Sequence, residues 1–232
     1  GDAVDRGGIN HFPSAIKWFQ DLFEEFEFKD DFKRRFLCVP GNHDISMPLF
    51  LSSGIQWNND DNQWDYDESA CDLNLKNYAL APYFDFCDAL SSTCAVSSLN
   101  DVSFGAPWLE LRFRHLGVIF YGVNTCGISA RSKKVVPQVD SSAVEAIAKP
   151  LQRLCREENL SNTALIGVGH HRLDISDHVE SPLSPLLNFF LDSPKTSIYM
   201  HGDWHQSSIK AYPLGEDGSH TCVFSSAATL AK

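Results

Sequence analysis

Two kinds of hydrophobic pattern alternate along the chain. In some stretches apolar residues recur every three or four positions, which predicts helices; in shorter ones they run almost without a break, which predicts buried strands. Residues 12–29 place Ile16, Phe19, Leu22, Phe23 and Phe26 at helical spacing behind Pro13, a residue suited to a first turn. Residues 72–90 predict a second helix, which Pro82 should kink or split. Residues 140–158 predict a third, with Ser142 and Glu145 as a capping box, and Ser181-Pro182 opens a fourth that runs to about residue 191. Strands are predicted at 35–39, at 163–168, at 196–200, and near 207–213 and 219–226, with two more in 107–123 joined at His115-Leu116-Gly117. The second of that pair, Val118 to Val123, is apolar throughout, as a central strand should be. Residues 45–70 are polar and irregular and read as a long loop, within a 45–105 insertion or cap region. With no repeat, low-complexity segment or linker, residues 1–232 read as a single domain. Helices alternating with buried strands, followed by late strands, predict an α/β fold of two mixed β-sheets in a sandwich flanked by helices.

Composition narrows the function classes. The 232 residues suffice for a substantial core, and 43% hydrophobic with 21% charged residues is an ordinary globular balance. No apolar run approaches the ~18 residues needed to span a bilayer. A net charge of -11 argues against nucleic-acid binding through a broad basic face, while leaving room for a cleft made locally positive by metal ions. The seven cysteines are odd in number, irregularly spaced and without a Cys-x-x-Cys pair. Small buried thiols account for most of them, which favours a reducing compartment and a cytoplasmic location. One disulfide within the cluster Cys71, Cys87 and Cys94 stays open as an alternative. Nothing in the pattern fixes an oligomeric state.

Candidate chemistry collects where strand-like runs end. Val39-Pro40-Gly41-Asn42-His43-Asp44 sets an amide, an imidazole and a carboxylate side by side after Phe36-Leu37-Cys38. Gly1-Asp2 lies upstream, and Gly169-His170-His171 and His201-Gly202-Asp203-Trp204-His205 lie downstream. Asp, Asn and His are ligands for Mn, Fe or Zn. Two such ions about 3.5–4 Å apart can clamp the attacking and leaving oxygens of a phosphoester, provided a carboxylate bridges them and a proton donor stands beside the leaving oxygen.

In these blocks the chain resembles the calcineurin-like metallophosphoesterases, and most of all their bacterial-type cyclic-nucleotide phosphodiesterase branch. Gly1-Asp2-Ala3-Val4-Asp5 matches that family's Gly-Asp-x-x-Asp. Gly41-Asn42-His43-Asp44 matches Gly-Asn-His-Asp, and Gly169-His170 matches its later strand-tip His. Gly202-Asp203-Trp204-His205 matches Gly-His-x-His with Asp203 in place of the first His. The Val4-Asp5-Arg6-Gly7 run is similar instead to the protein phosphatase branch. The resemblance implies two divalent ions, Mn favoured by the extra carboxylate, with Asp2 bridging them, Asn42, His170 and Asp203 on one and His205 on the other. His201 is an alternative to Asp203 if the register differs by two. It implies that a metal-bridging hydroxide attacks a phosphomonoester or phosphodiester. His43 then protonates the leaving oxygen, Asp44 orients the His43 ring and Arg6 holds phosphate. The family's Asp-x-His block has no counterpart, so the chain is expected to be truncated, to hold one ion well and to have little activity alone.

Blander readings stand beside these. His171 is read as a residue beside the centre or a solvated one, and Asn124 as a turn cap. Trp57 and Trp64 read as anchors of their loop to the core. His11, His115, His178 and His220 read as surface residues, and Asp60-Asp61 as a solvated face. The alternative function is a non-catalytic scaffold on the same fold that binds protein partners; a His43-Asp44 pair is of no use to it.

Overall fold

A computed structural model of the chain describes residues 9–26, 36–52, 55–61, 63–64, 79–90, 107–128, 134–173, 183–191, 196–203, 207–214 and 220–226. Its centre is a six-stranded mixed sheet in the order β3-β4-β7-β8-β10-β9. The strands are β3 (Trp108–Glu110), β4 (Val118–Gly122), β7 (Ala164–Val168), β8 (Thr196–His201), β9 (Ser208–Leu214) and β10 (His220–Ser226). β4, β7, β8 and β10 run parallel, and β3 and β9 pair antiparallel at the two edges. Small antiparallel ribbons accompany the sheet: β1 (Trp57–Asn58) with β2 (Gln63–Trp64), and β5 (Cys126–Ile128) with β6 (Val135–Pro137). Among the described residues these ribbons stand in place of the second large sheet that the pattern predicts.

The helices are α1 (Phe12–Glu25), α2 (Met47–Ser52), α3 (Ala81–Leu90), α4 (Ser141–Glu157) and α5 (Ser184–Leu191). No helix among the described residues is long and apolar enough to cross a membrane. One apolar cluster joins α4 and α5 to the sheet through Ile147, Leu151, Phe190, Tyr199 and Phe224. A second joins α1, α2, α3 and β5 through Phe12, Phe50, Phe86 and Ile128. Trp57 packs against this second cluster, so the loop that carries it is anchored to the core.

Several local expectations are corrected. Residues 36–40 are irregular backbone and not a strand. The indole Nε1 of buried Trp108 donates to the Cys38 carbonyl (2.6 Å), and Phe36 sits among Phe19, Phe23 and Phe86, so this segment is held by side chains. Pro82 does not kink a helix: it occupies the first turn of α3, where its missing N–H costs nothing. The 45–70 stretch contains α2 and the β1–β2 hairpin, whose turn is closed by the Asn58 side chain on the Asp60 and Asp61 amides. The cap of α4 is Asp140, which accepts from the Ser142 amide (2.8 Å), while Glu145 pairs with Lys149. The predicted spans at 72–78, 27–29 and 181–182 lie outside the described residues.

Candidate metal centre

The parallel strands β4, β7 and β8 all point their carboxyl ends to one side, the end of an open α/β sheet where ligands bind. Each strand leads into polar residues: β4 into Asn124-Thr125, β7 into His170-His171 and β8 into Gly202-Asp203. The tips are tied together by backbone bonds. Gly169 N–H donates to the Met200 carbonyl, and Gly202 N–H to the His170 carbonyl, both at 3.0 Å.

Thr125 braces the His pair. Its Oγ1 accepts the amide N–H of His170 (3.0 Å) and of His171 (2.9 Å), and its carbonyl accepts from His171 Nδ1 (2.6 Å). A carbonyl can only accept, so Nδ1 of His171 carries the hydrogen. Tyr199 Oη donates to the His171 carbonyl (3.1 Å). His171 is therefore a buried, oriented residue and not a solvated one. Thr125 is not singled out by the sequence, where a Thr at a strand end carries no signal of its own. Asn124 caps the next turn as expected, its Oδ1 accepting from the Cys126 amide (2.9 Å).

Asn42 crosses to this cluster from the other apolar core. Its Oδ1 lies 2.9 Å from Nε2 of His170, across 128 positions of sequence. Asp203 Oδ1 lies 3.7 Å from the same nitrogen. Asp203 adopts a left-handed backbone (φ 51°), which Asp tolerates better than most residues, and its side chain stays 40% exposed. His201 is turned elsewhere: its ring stacks over Tyr199 and its Nδ1 meets the Gly202 carbonyl (3.2 Å). Of the two alternatives, the one whose side chain approaches His170 Nε2 is Asp203.

Burial pushes His170 down to a pKa of about 3, and the neighbouring His171 and His43 rings add to the shift. The imidazole is thus neutral across the physiological range, with one nitrogen pair available to a cation. Bonds of ~2.1 Å to a common ion put two ligand atoms ~3.0 Å apart at a right angle and further apart at wider angles. The separations of 2.9 and 3.7 Å suit that arrangement.

His43 is half-buried in the turn beside Asn42. Asp44 is fully buried, and its Oδ2 accepts the Gly41 amide (2.9 Å) while its own amide donates to the Gly41 carbonyl (3.1 Å). Its carboxylate thereby closes the turn that presents Asn42 and His43. Asp2, Asp5, Arg6 and His205 lie outside the described residues.

A second set of donors lies behind His170. Cys126, His170 and His171 are all buried, with ligand atoms within 4.8 Å of one another. Cys126 Sγ sits 3.6 Å from His171 Nδ1 and 3.6 Å from the Pro40 carbonyl. Thiol and imidazole would suit zinc. Nδ1 of His171 is committed to the Thr125 carbonyl, however, and this side is buried. The oxygen donors are less enclosed: Asn42 is half-buried and the Asp203 side chain is 40% exposed. A cavity of about 490 Å³ adjoins the strand tips, lined by Trp18, Phe19 and Phe36 on one hand and by Asp44, Gly169 and His201 on the other.

No protein-family profile matches the chain, and no curated protein sequence matches it.

Proposed function

We propose that this chain carries the catalytic cleft of a metal-dependent phosphoesterase, similar in fold and site to the calcineurin-like metallophosphoesterases, that hydrolyses a phosphomonoester or phosphodiester. The observation that carries this reading is the meeting of Asn42 Oδ1, His170 Nε2 and Asp203 Oδ1 beside His43, from three separate chain segments. Among these residues, Asn42, His170 and Asp203 would hold a divalent ion, and their oxygen-rich set favours Mn over Zn. Asp2 and His205 would serve a second ion. The bound metal supplies Lewis acidity toward the phosphoryl oxygens.

The chain's own groups do the rest. Asn42 and His170 are neutral donors, so they orient a cation without cancelling its charge. His43 stands next to Asn42 and delivers a proton to the leaving oxygen. Asp44 fixes the turn, and with it the position of both neighbours.

Leaving-group dependence tests the proton role. With Mn present, His43→Ala should lower turnover of an alkyl phosphoester by about 100-fold or more, and leave a nitrophenyl ester, whose alcohol departs unprotonated, much less affected. Equal losses on both esters would remove His43 from that role. In the full-length protein, tight Mn binding without hydrolysis of any ester would favour the scaffold reading instead.

A further inference from the structure

The thiols of Cys38 and Cys87 approach to 3.4 Å across 49 positions of sequence. Both sit in packed surroundings. The Cys38 carbonyl is anchored by Trp108, and Cys87 is buried within α3 between Phe86 and Leu90. Cys38 also lines the cavity beside the strand tips, so small solutes can reach it. Four residues after Cys38 comes Asn42, on the Pro40–Asp44 turn.

We propose that Cys38 and Cys87 form a reversible dithiol–disulfide site whose oxidation acts on the Asn42–His43 turn. A disulfide has an S–S length of ~2.05 Å, so the two sulfurs must close by about 1.3 Å. That movement draws the 36–39 segment toward α3 and pulls on the turn behind it.

The oxidant is hydrogen peroxide. The Cys38 thiolate attacks a peroxide oxygen and breaks the O–O bond, forming a sulfenic acid and releasing hydroxide. The Cys87 thiolate then attacks the Cys38 sulfur and displaces a second hydroxide. The two thiol protons convert both hydroxides to water; the sulfur pair gives up two electrons and the O–O bond accepts them. A dithiol reductant reverses the step by exchange. In a reducing compartment such a bond is transient, which is the behaviour of a sensor and not of a structural link.

The thiol chemistry stands by itself, while its effect on the turn rests on the proposed metal role of Asn42. Hydrogen peroxide followed by alkylation and peptide mapping should yield a Cys38–Cys87 linked pair that dithiothreitol reverses. Cys38→Ser and Cys87→Ser, isosteric changes whose folding circular dichroism checks, should each abolish it. Both thiols still alkylated after peroxide, or Cys87 linked to Cys71 or Cys94, would overturn the site. Calorimetry with Mn alone tests the coupling: oxidised wild type should bind about tenfold more weakly than reduced, and the Ser variants should be indifferent to peroxide. A mapped Cys38–Cys87 bond with unchanged Mn affinity would overturn the regulatory effect alone. Absence of Mn binding in the reduced protein would overturn the metal reading and leave the disulfide result intact.

Discussion

With one hydroxyl oxygen Thr125 serves two buried amides, and with its carbonyl it sets the His171 tautomer. Thr125→Val keeps the shape and removes the acceptor, stranding two N–H groups. Orphaned buried donors cost roughly 1–3 kcal/mol each, so urea unfolding should register a loss of about 3 kcal/mol, and Thr125→Ser should recover most of it. His170 gives a second prediction. Its folded pKa of about 3 lies below the ordinary 6.5, so between these values the unfolded chain takes a proton that the folded chain refuses. In chelator-treated protein, stability should be full above about pH 6.5 and fall as pH drops toward about 3, by up to about 4 kcal/mol. His170→Asn should flatten that slope in unfolding curves taken across the range. The two residues differ in legibility. His170 is readable because imidazole after Gly at a strand tip is chemically pointed. Thr125 is not, because its role depends on which strands lie adjacent.

At the scale of elements, β7 and β8 are legible because each is a short, mostly apolar run that pairs on both of its edges inside the sheet. The 36–39 run has the same composition and is not a strand, since an apolar extended segment can also be held by aromatic packing and one indole hydrogen bond. The start of α4 differs from the predicted cap by two residues because Asp140 and Ser142 are both good caps, and geometry alone separates them. Gly169, between β7 and His170, is where the tips pack closest. A Cβ there would run into the Tyr199 hydroxyl and lie 2.9 Å from Thr125 Cγ2. Gly169→Ala should therefore cost about 2 kcal/mol and weaken Mn binding together with stability. A variant of wild-type stability and affinity would show that the tips can spread without consequence.

For the whole molecule, the centre lies where two apolar cores meet. The Asn42–Asp44 turn leads into Ile45 and Phe50 of one core; His170 comes after a strand packed on the other. A ligand gripping both should make them unfold together. At about 100 times its Kd, Mn should add about 2.7 kcal/mol of stability. Scanning calorimetry should then show a higher Tm and a sharper transition, and Asn42→Ala should remove most of the gain. A Tm indifferent to Mn would separate the centre from the fold. The two-core layout is hidden from sequence, because helical and strand patterns mark what is buried without saying in which cluster.

The 128 positions between Asn42 and His170 have a consequence in time. The pair comes together only after β7 has found its neighbours, and Asp203 joins only after β8 has done so. A growing chain that stops short of residue 196 has the Asn42 turn and nothing of β8 opposite it. The centre is thus built from highly non-local contacts, whose loop closure is slow, and an ion held there should slow unfolding more than it speeds the search that precedes it.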